Sequence, residues 1–274
     1  MQTLLKIGFA MVVLAVLLVG TSFGILRAQD SGGSYSGNDN HISHAMKSEV
    51  RKVGADVVAI DLNGPIDLIL KQGANPSLIV TSEEGLLSRI KTVQDGNTLL
   101  IDVKDSIFHL HRPLHVELTL PALQKLSVLG SGDSVVSGFN GDKLTLAMHG
   151  SGDVRFNGDY QHVNASVLGS GDLDLALGSS SDLDLSMMGS GSITTSGQSK
   201  SLTAHMMGSG DLGAEKMLAD AVKVDMMGSG DSNVFAKQSV IVDVRGSGDI
   251  DVHGNPQHRQ VSRMGSGDVS WDNE

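Results

Sequence analysis

The chain contains no cysteine, five prolines and nine aromatic residues among 274. Without cysteine it can hold no disulfide framework, no thiolate zinc site and no acylated lipoprotein anchor. Basic charge is scarce as well: 20 Lys and Arg face 31 Asp and Glu, a formal charge of −11. Such a balance repels phosphate backbones and excludes a basic nucleic-acid binder. At 3% aromatics, little bulky volume is available to fill a wide globule, so the core should be aliphatic, narrow and elongated. What the chain has in quantity is glycine, 34 residues, together with 40% hydrophobic residues, enough to bury a core.

The acidity is uneven. From Gly130 onward 17 Asp and 2 Glu face 9 Lys and Arg, a net of −10 that leaves −1 for the preceding residues. That half should favour cations or basic partners.

Residues 1–27 read as an export segment: Lys6, then an uncharged apolar stretch from Ile7 to Leu26, then Arg27. This suits a secretory signal peptide, or a membrane anchor if it is not cleaved. Residues 28–48, rich in Ser, Gly, Asp and Asn, read as a flexible linker. Export without cysteine points to a bacterial envelope protein, in the periplasm or at the cell surface.

A repeat organises the remainder. Gly-Ser-Gly begins at Gly130, Gly150, Gly169, Gly189, Gly208, Gly228, Gly246 and Gly265, at spacings of 18 to 20, and supplies 16 of the 34 glycines. In seven copies an aspartate follows: Asp133, Asp153, Asp172, Asp211, Asp231, Asp249 and Asp268; the fourth copy has Ser192. Apolar residues stand two, four and six positions before most of the motifs, as at Leu183, Leu185 and Met187, and alternation resumes after them, as at Val154 and Phe156. Period two marks a strand with one buried face. A unit of this length cannot bury its own apolar face, so neighbours must stack. The pattern predicts an all-β fold, a single-stranded parallel β-helix (solenoid) whose coils of about 19–20 residues turn at Gly-Ser-Gly-Asp corners. Pro256 should lie in an outer loop, because a stacked strand cannot spare its N–H.

Residues 49–129 are less regular but β-like, with turns at Asn63-Gly64-Pro65 and Asp95-Gly96-Asn97. They predict wider first coils capping the rod, continuous with the ladder of 130–274 as one domain. Ala214–Asp220 has helix propensity and reads as a loop with at most one helical turn.

Around Pro121-Ala122-Leu123-Gln124-Lys125-Leu126-Ser127-Val128-Leu129-Gly130-Ser131-Gly132, preceded by Asp95-Gly96-Asn97-Thr98-Leu99-Leu100-Ile101, the chain resembles the bacterial family called putative autotransporter adhesin, head GIN domain. The resemblance runs from about Glu49 to the C-terminus. It implies a right-handed β-helix in an exported envelope protein, with no established activity and no catalytic residues to carry over. Two features depart from the family's pattern: Ala55-Asp56-Val57 stands where an aromatic is usual, and the Gly-Ser-Gly-Asp ladder is unusually regular.

In-register stacking would bring the seven aspartates into one column about 5 Å apart, each neighbouring pair repelling by roughly 1 kcal/mol in water. Backbone N–H bonds within each turn can offset this. The other reading is a calcium ladder on Asp133, Asp153, Asp172, Asp211, Asp231, Asp249 and Asp268, although one carboxylate per coil falls short of the oxygens Ca²⁺ takes. His109, His111 and His115 form a candidate metal group on a short segment. His149 and His205 replace residues of other types at repeat positions and read as tolerated variation. In Met187-Met188, Met206-Met207 and Met226-Met227 the first methionine should fill the core and the second pack beside the corner, with soft-metal binding as the competing reading. Arg263 stands where an inward apolar residue is due, so either register slips there or the rod frays into a cap covered by Trp271.

No nucleophile elbow, phosphate loop or zincin motif is present. The leading reading is a non-enzymatic envelope solenoid, structural or adhesin-like, binding glycan, cell-wall material or another envelope protein along a regular acidic face. It requires no cofactor, touches membrane only through residues 1–27 if these are uncleaved, and can oligomerise through its end strands. The runner-up is a polysaccharide lyase or hydrolase with a cleft where the irregular coils meet the ladder.

Overall fold

The computed structural model describes residues 45–103 and 114–272. The export segment 1–27, most of the linker, and His109 and His111 lie outside the described residues. The described residues fall within one compact unit and are nearly all-β, 76% strand, with one 3₁₀ turn at Leu87–Arg89. No helix among them is long and apolar enough to cross a membrane.

The N-terminal layers comprise β1 (Met46–Arg51), β2 (Ala59–Asn63), β3 (Ile66–Gln72), β4 (Ser77–Glu83), β5 (Ile90–Asp95), β6 (Thr98–Val103), β7 (Leu114–Leu120) and β8 (Lys125–Gly130). The ladder continues through β9 (Ser134–Gly150), β10 (Val154–Gly169), β11 (Leu173–Gly189), β12 (Ser192–Gly208), β13 (Asp211–Gly228) and β14 (Ser232–Gly246). It ends with β15 (Ile250–His253), β16 (His258–Gly265) and β17 (Val269–Asp272). Together they form a parallel β-solenoid of about seven turns.

From β8 onward the register is the one the repeat predicts. Gly130 pairs with Gly150, then Gly169, Gly189, Gly208, Gly228, Gly246 and Gly265 in unbroken succession. From β9 to β14 each coil is a single bent strand of 15 to 18 residues rather than two strands and a turn, and the last coil alone is divided, into β15 and β16. The bend is taken up by mid-strand register shifts, such as that between Gly158 and His162. The alternating apolar positions point inward, and Leu183, Leu185 and Met187 are all buried. The core is aliphatic along most of its length. Phe139, Phe156 and Tyr160 are buried near the start of the ladder, where the Phe156 and Tyr160 rings meet at 6.0 Å.

Three expectations require correction. The first layers do not follow chain order. β2 lies between β6 and β8, and β3 between β7 and β9, so the earliest coil is inserted beneath the ladder and the later β6–β7 layer lies outside it. The antiparallel pairs β1–β4, β4–β7 and β5–β6 then cover that end, which sequential spiralling would leave as an open edge. Secondly, the strand at the supposed linker boundary begins at Met46, because residues 46–51 pair in full with β4. Thirdly, Ala214–Asp220 is strand within β13, and Ala214, Met217 and Ala219 are buried. Helix propensity is worth a few tenths of a kcal/mol per residue and yields to core burial.

Pro256 lies in the loop between β15 and β16, with its ring buried. At the far end register does not slip: Val244 pairs with Arg263 and Gly246 with Gly265. Arg259 and Arg263 take the inward positions that Val240 and Val244 fill one coil earlier. The Arg259 guanidinium lies 4.3 Å over the Trp271 ring, and Arg263 Nη1 pairs with Asp268. The rod therefore ends on a charged lid.

Candidate functional site

The corner is the recurring unit of this surface, and its glycines are there for want of space. At Gly150 the backbone has φ +142°, and a Cβ would lie 1.9 Å from the Gly130 carbonyl oxygen. At Gly152 a Cβ would lie 2.1 Å from the carbonyl oxygen of Gly132. Corners approach this closely because the intervening serine donates its N–H to the preceding coil: Ser151 to Gly130 at 3.1 Å, Ser170 to Gly150 at 3.0 Å.

The seven aspartates do form one column: six carboxylates each accept a backbone N–H from the next coil, and Asp268, in the last coil, pairs with Arg263. Asp133 Oδ1 accepts the Asp153 N–H at 3.0 Å, Asp153 Oδ1 that of Asp172 at 3.2 Å, and Asp172 Oδ1 that of Ser192 at 2.9 Å. Beyond the interruption, Asp211, Asp231 and Asp249 accept from Asp231, Asp249 and Asp268 at 2.8, 3.1 and 2.8 Å. The bond goes to the next coil, not to the aspartate's own turn as the sequence suggested. The corner bends the chain out of the ladder and would orphan this N–H. Where Ser192 replaces aspartate, the Asp211 N–H turns to the Gly191 carbonyl at 3.1 Å. Among the described residues no three His, Cys, Asp or Glu side chains converge as a metal site.

Sequence reading missed the first member of this column. Gly64 sits directly beneath Gly130, with φ +118°, and Asp67 Oδ1 accepts the Asp133 N–H at 3.0 Å. Gly64-Pro65-Ile66-Asp67 keeps the Gly-x-x-Asp spacing, the one signal that could have revealed it. His115, read as one of a metal group, pairs its Nδ1 with Asp67 Oδ2 at 3.4 Å. Equivalent His–Asp pairs join neighbouring coils at His162–Asp182, 2.8 Å, and His205–Asp225, 3.1 Å.

The second methionines do not pack beside the corner. Met188, Met207 and Met227 are 50%, 47% and 46% exposed, whereas Met187, Met206 and Met226 are buried. Side chains alternate on a strand, so the residue before each corner glycine must face out. The result is an exposed stripe of Leu129, Leu168, Met188, Met207, Met227 and Met264 along one edge of the rod. It is interrupted by His149 and Arg245 and flanked by the polar column Ser186, His205, Asp225 and Asp243.

Besides an open depression of about 530 Å³ beside His162, Asp182 and Asp184, others lie along the rod. One, of about 310 Å³, runs beside the methionines and is walled by His205, Asp225 and Arg245. Another, of about 490 Å³, lies where the N-terminal layers meet the ladder, between Asn97, Lys125, Asp142 and Lys143. Asp142 is the single carboxylate in the lining of the latter. Tyr160 forms part of its floor; the hydroxyl donates to the Leu123 carbonyl at 2.6 Å, and burial pushes its pKa up to about 12.

A family model described as "Putative auto-transporter adhesin, head GIN domain" matches residues 58–256, and the chain belongs to that family. No curated protein matches it. Among solved structures, a putative adhesin from Parabacteroides distasonis is similar at 21% identity and TM-score 0.77, over 84% of this chain and 98% of that one. A putative adhesin from Parabacteroides merdae aligns at 18% identity and TM-score 0.76, over 83% and 96%. A protein titled putative lipid binding protein, also from Parabacteroides distasonis, aligns at 24% identity and TM-score 0.73, over 83% and 96%. At these identities the likeness is one of fold.

Proposed function

We propose that this member of the head GIN family is a non-enzymatic, exported binding rod that engages an extended partner along the stripe beginning at Leu129. The observation that carries the reading is the continuity of that stripe. Apolar side chains remain exposed before six of eight corners, at positions that strand alternation turns outward and that a polar residue could fill equally well. A face repeated at every rung suits a ligand that is itself extended, such as a cell-wall polymer or a strand-like protein segment. Of these a protein segment fits better, because the stripe consists of leucine and methionine and offers no aromatic face on which a sugar ring could stack. The family's adhesin names fit an exported or surface location.

Two observations weigh against the enzymatic reading. The junction depression offers one carboxylate, where glycoside hydrolysis uses a pair across the scissile bond. The aspartate column is spent on backbone N–H groups, and a periodic residue serves the coil rather than one place on it. The aspartates need no calcium for this task.

The test is adhesion of the full chain to bacterial envelope preparations, before and after protease treatment. Leu168→Lys with Met227→Lys should abolish binding while leaving the melting temperature unchanged. Sensitivity to protease supports a protein partner. Adhesion that survives the double lysine variant, or release of reducing ends or unsaturated products from a polysaccharide panel, overturns the reading.

A further inference from the structure

The methionine stripe also carries chemistry that apolar contact does not require. Leu129 and Leu168 show that leucine satisfies the position before the corner, yet three successive coils carry Met188, Met207 and Met227. Their backbones are paired rung to rung, Met188 with Met207 and Met207 with Met227. Stacked strands lie about 4.8 Å apart. Unbranched side chains with three rotatable bonds can bring sulfurs from neighbouring rungs onto one ion.

A nitrogen donor stands beside them. His205 is two residues before Met207 on the same outward face of β12 and lines the same depression. Its Nδ1 lies 3.1 Å from Asp225 Oδ2, and Lys223 Nζ lies 2.9 Å from that same oxygen. A carboxylate on one imidazole nitrogen fixes the tautomer and raises the basicity of the other, the arrangement that supports histidine ligands in metal sites. Among the described residues the His205 ring is paired through Nδ1, with Asp225, which leaves Nε2 as its donor to an ion.

The geometry points to a site for a soft monovalent cation, Cu(I), built from the thioethers of Met188, Met207 and Met227 and from His205 Nε2. Soft thioether donors suit Cu(I) and not the oxygen-seeking Ca²⁺ and Mg²⁺, and imidazole is compatible with it. Asp225 is a positioning residue that acts through His205. The inference is independent of partner docking, which requires only that the stripe be apolar.

The probe is Ag(I), a redox-inert stand-in for Cu(I), titrated into the full chain with ¹³C-methyl methionine labelling in chloride-free buffer. Cu(I) is then measured by competition with a chromogenic chelator. At one equivalent, the shifts should be confined to the methyls of Met188, Met207 and Met227 among the 12 methionines. The variant M188L/M207L/M227L keeps the stripe apolar and should lose the binding; Asp225→Asn should weaken it about tenfold. The single variant Met207→Leu repeats the test at the central rung should the triple variant fold poorly. Silver binding retained in the leucine variants, or an equimolar titration that moves none of the three methyls, overturns the site. A leucine variant that still adheres to envelope preparations but no longer binds silver separates this site from the docking face.

Discussion

Asp67 and Asp133 stand 66 positions apart in the chain and one coil apart in space, where the Asp67 carboxylate accepts the Asp133 N–H at 3.0 Å. That contact begins a column in which every aspartate below the last coil secures the corner above it. The side chain therefore acts as an acceptor, and its charge is incidental. Asp153→Ala should lower unfolding stability by about 1–2 kcal/mol, the worth of a hydrogen bond to a partly exposed charged group. Asp153→Asn should cost less, since the amide oxygen still accepts and like-charge repulsion falls. Urea midpoints measured with calcium and with chelator should coincide for the parent protein. An asparagine variant as damaged as alanine, or a calcium-dependent midpoint, would contradict the assignment.

The corner glycines should be the least replaceable residues. Gly150→Ala drives a Cβ to 1.9 Å from a backbone carbonyl in a left-handed conformation. The expected loss is about 3 kcal/mol or more, with accumulation in the insoluble fraction. Gly96→Ala is the control: its φ is +56° but nothing lies within 4 Å of the added methyl. About 1 kcal/mol is expected there. Equal losses at the two sites would refute crowding as the cause.

Thr195 occupies a core position, 1% exposed, and its hydroxyl has no hydrogen-bond partner among the described residues. Thr195→Val keeps the shape and removes the orphaned group. Thermal or urea unfolding should register a gain of about 1 kcal/mol.

Arg259 and Arg263 place charges at inward positions of the last coil, a device that blocks edge-to-edge pairing. Replacing both with valine, the residue found at the corresponding positions of β14, should extend the apolar core to an open end. Sedimentation velocity should then detect end-to-end oligomers that the parent does not form at equal concentration. A variant that sediments like its parent would count against the lid.

Burial holds the Tyr160 hydroxyl protonated up to about 12, above the ordinary tyrosine value near 10. The contribution is fully present below pH 10, where both folded and unfolded chains carry the proton. It is lost between about 10 and 12, as the unfolded chain ionises first. Tyr160→Phe should flatten that part of the stability–pH curve, measured by urea unfolding at fixed pH values, at the cost of the bond to Leu123.

The sequence alone determined the ladder, because two local regularities coincide in it. Apolar residues alternate at period two, and glycine returns wherever the next coil leaves no room for a Cβ, so stacking and register were both legible from Gly130 to Gly265. Tertiary structure decided the rest, since each remaining point depends on which distant backbone lies alongside. Insertion of β2–β3 beneath β8–β9 made Asp67 a member of the column, although no fixed period connects it to Asp133. The bond from each aspartate crosses between coils, so spacing could place the carboxylate without identifying its donor. Likewise, Met188, Met207 and Met227 looked like packing residues along the chain. Strand alternation put them outside, and coil stacking brought them and His205 onto one surface.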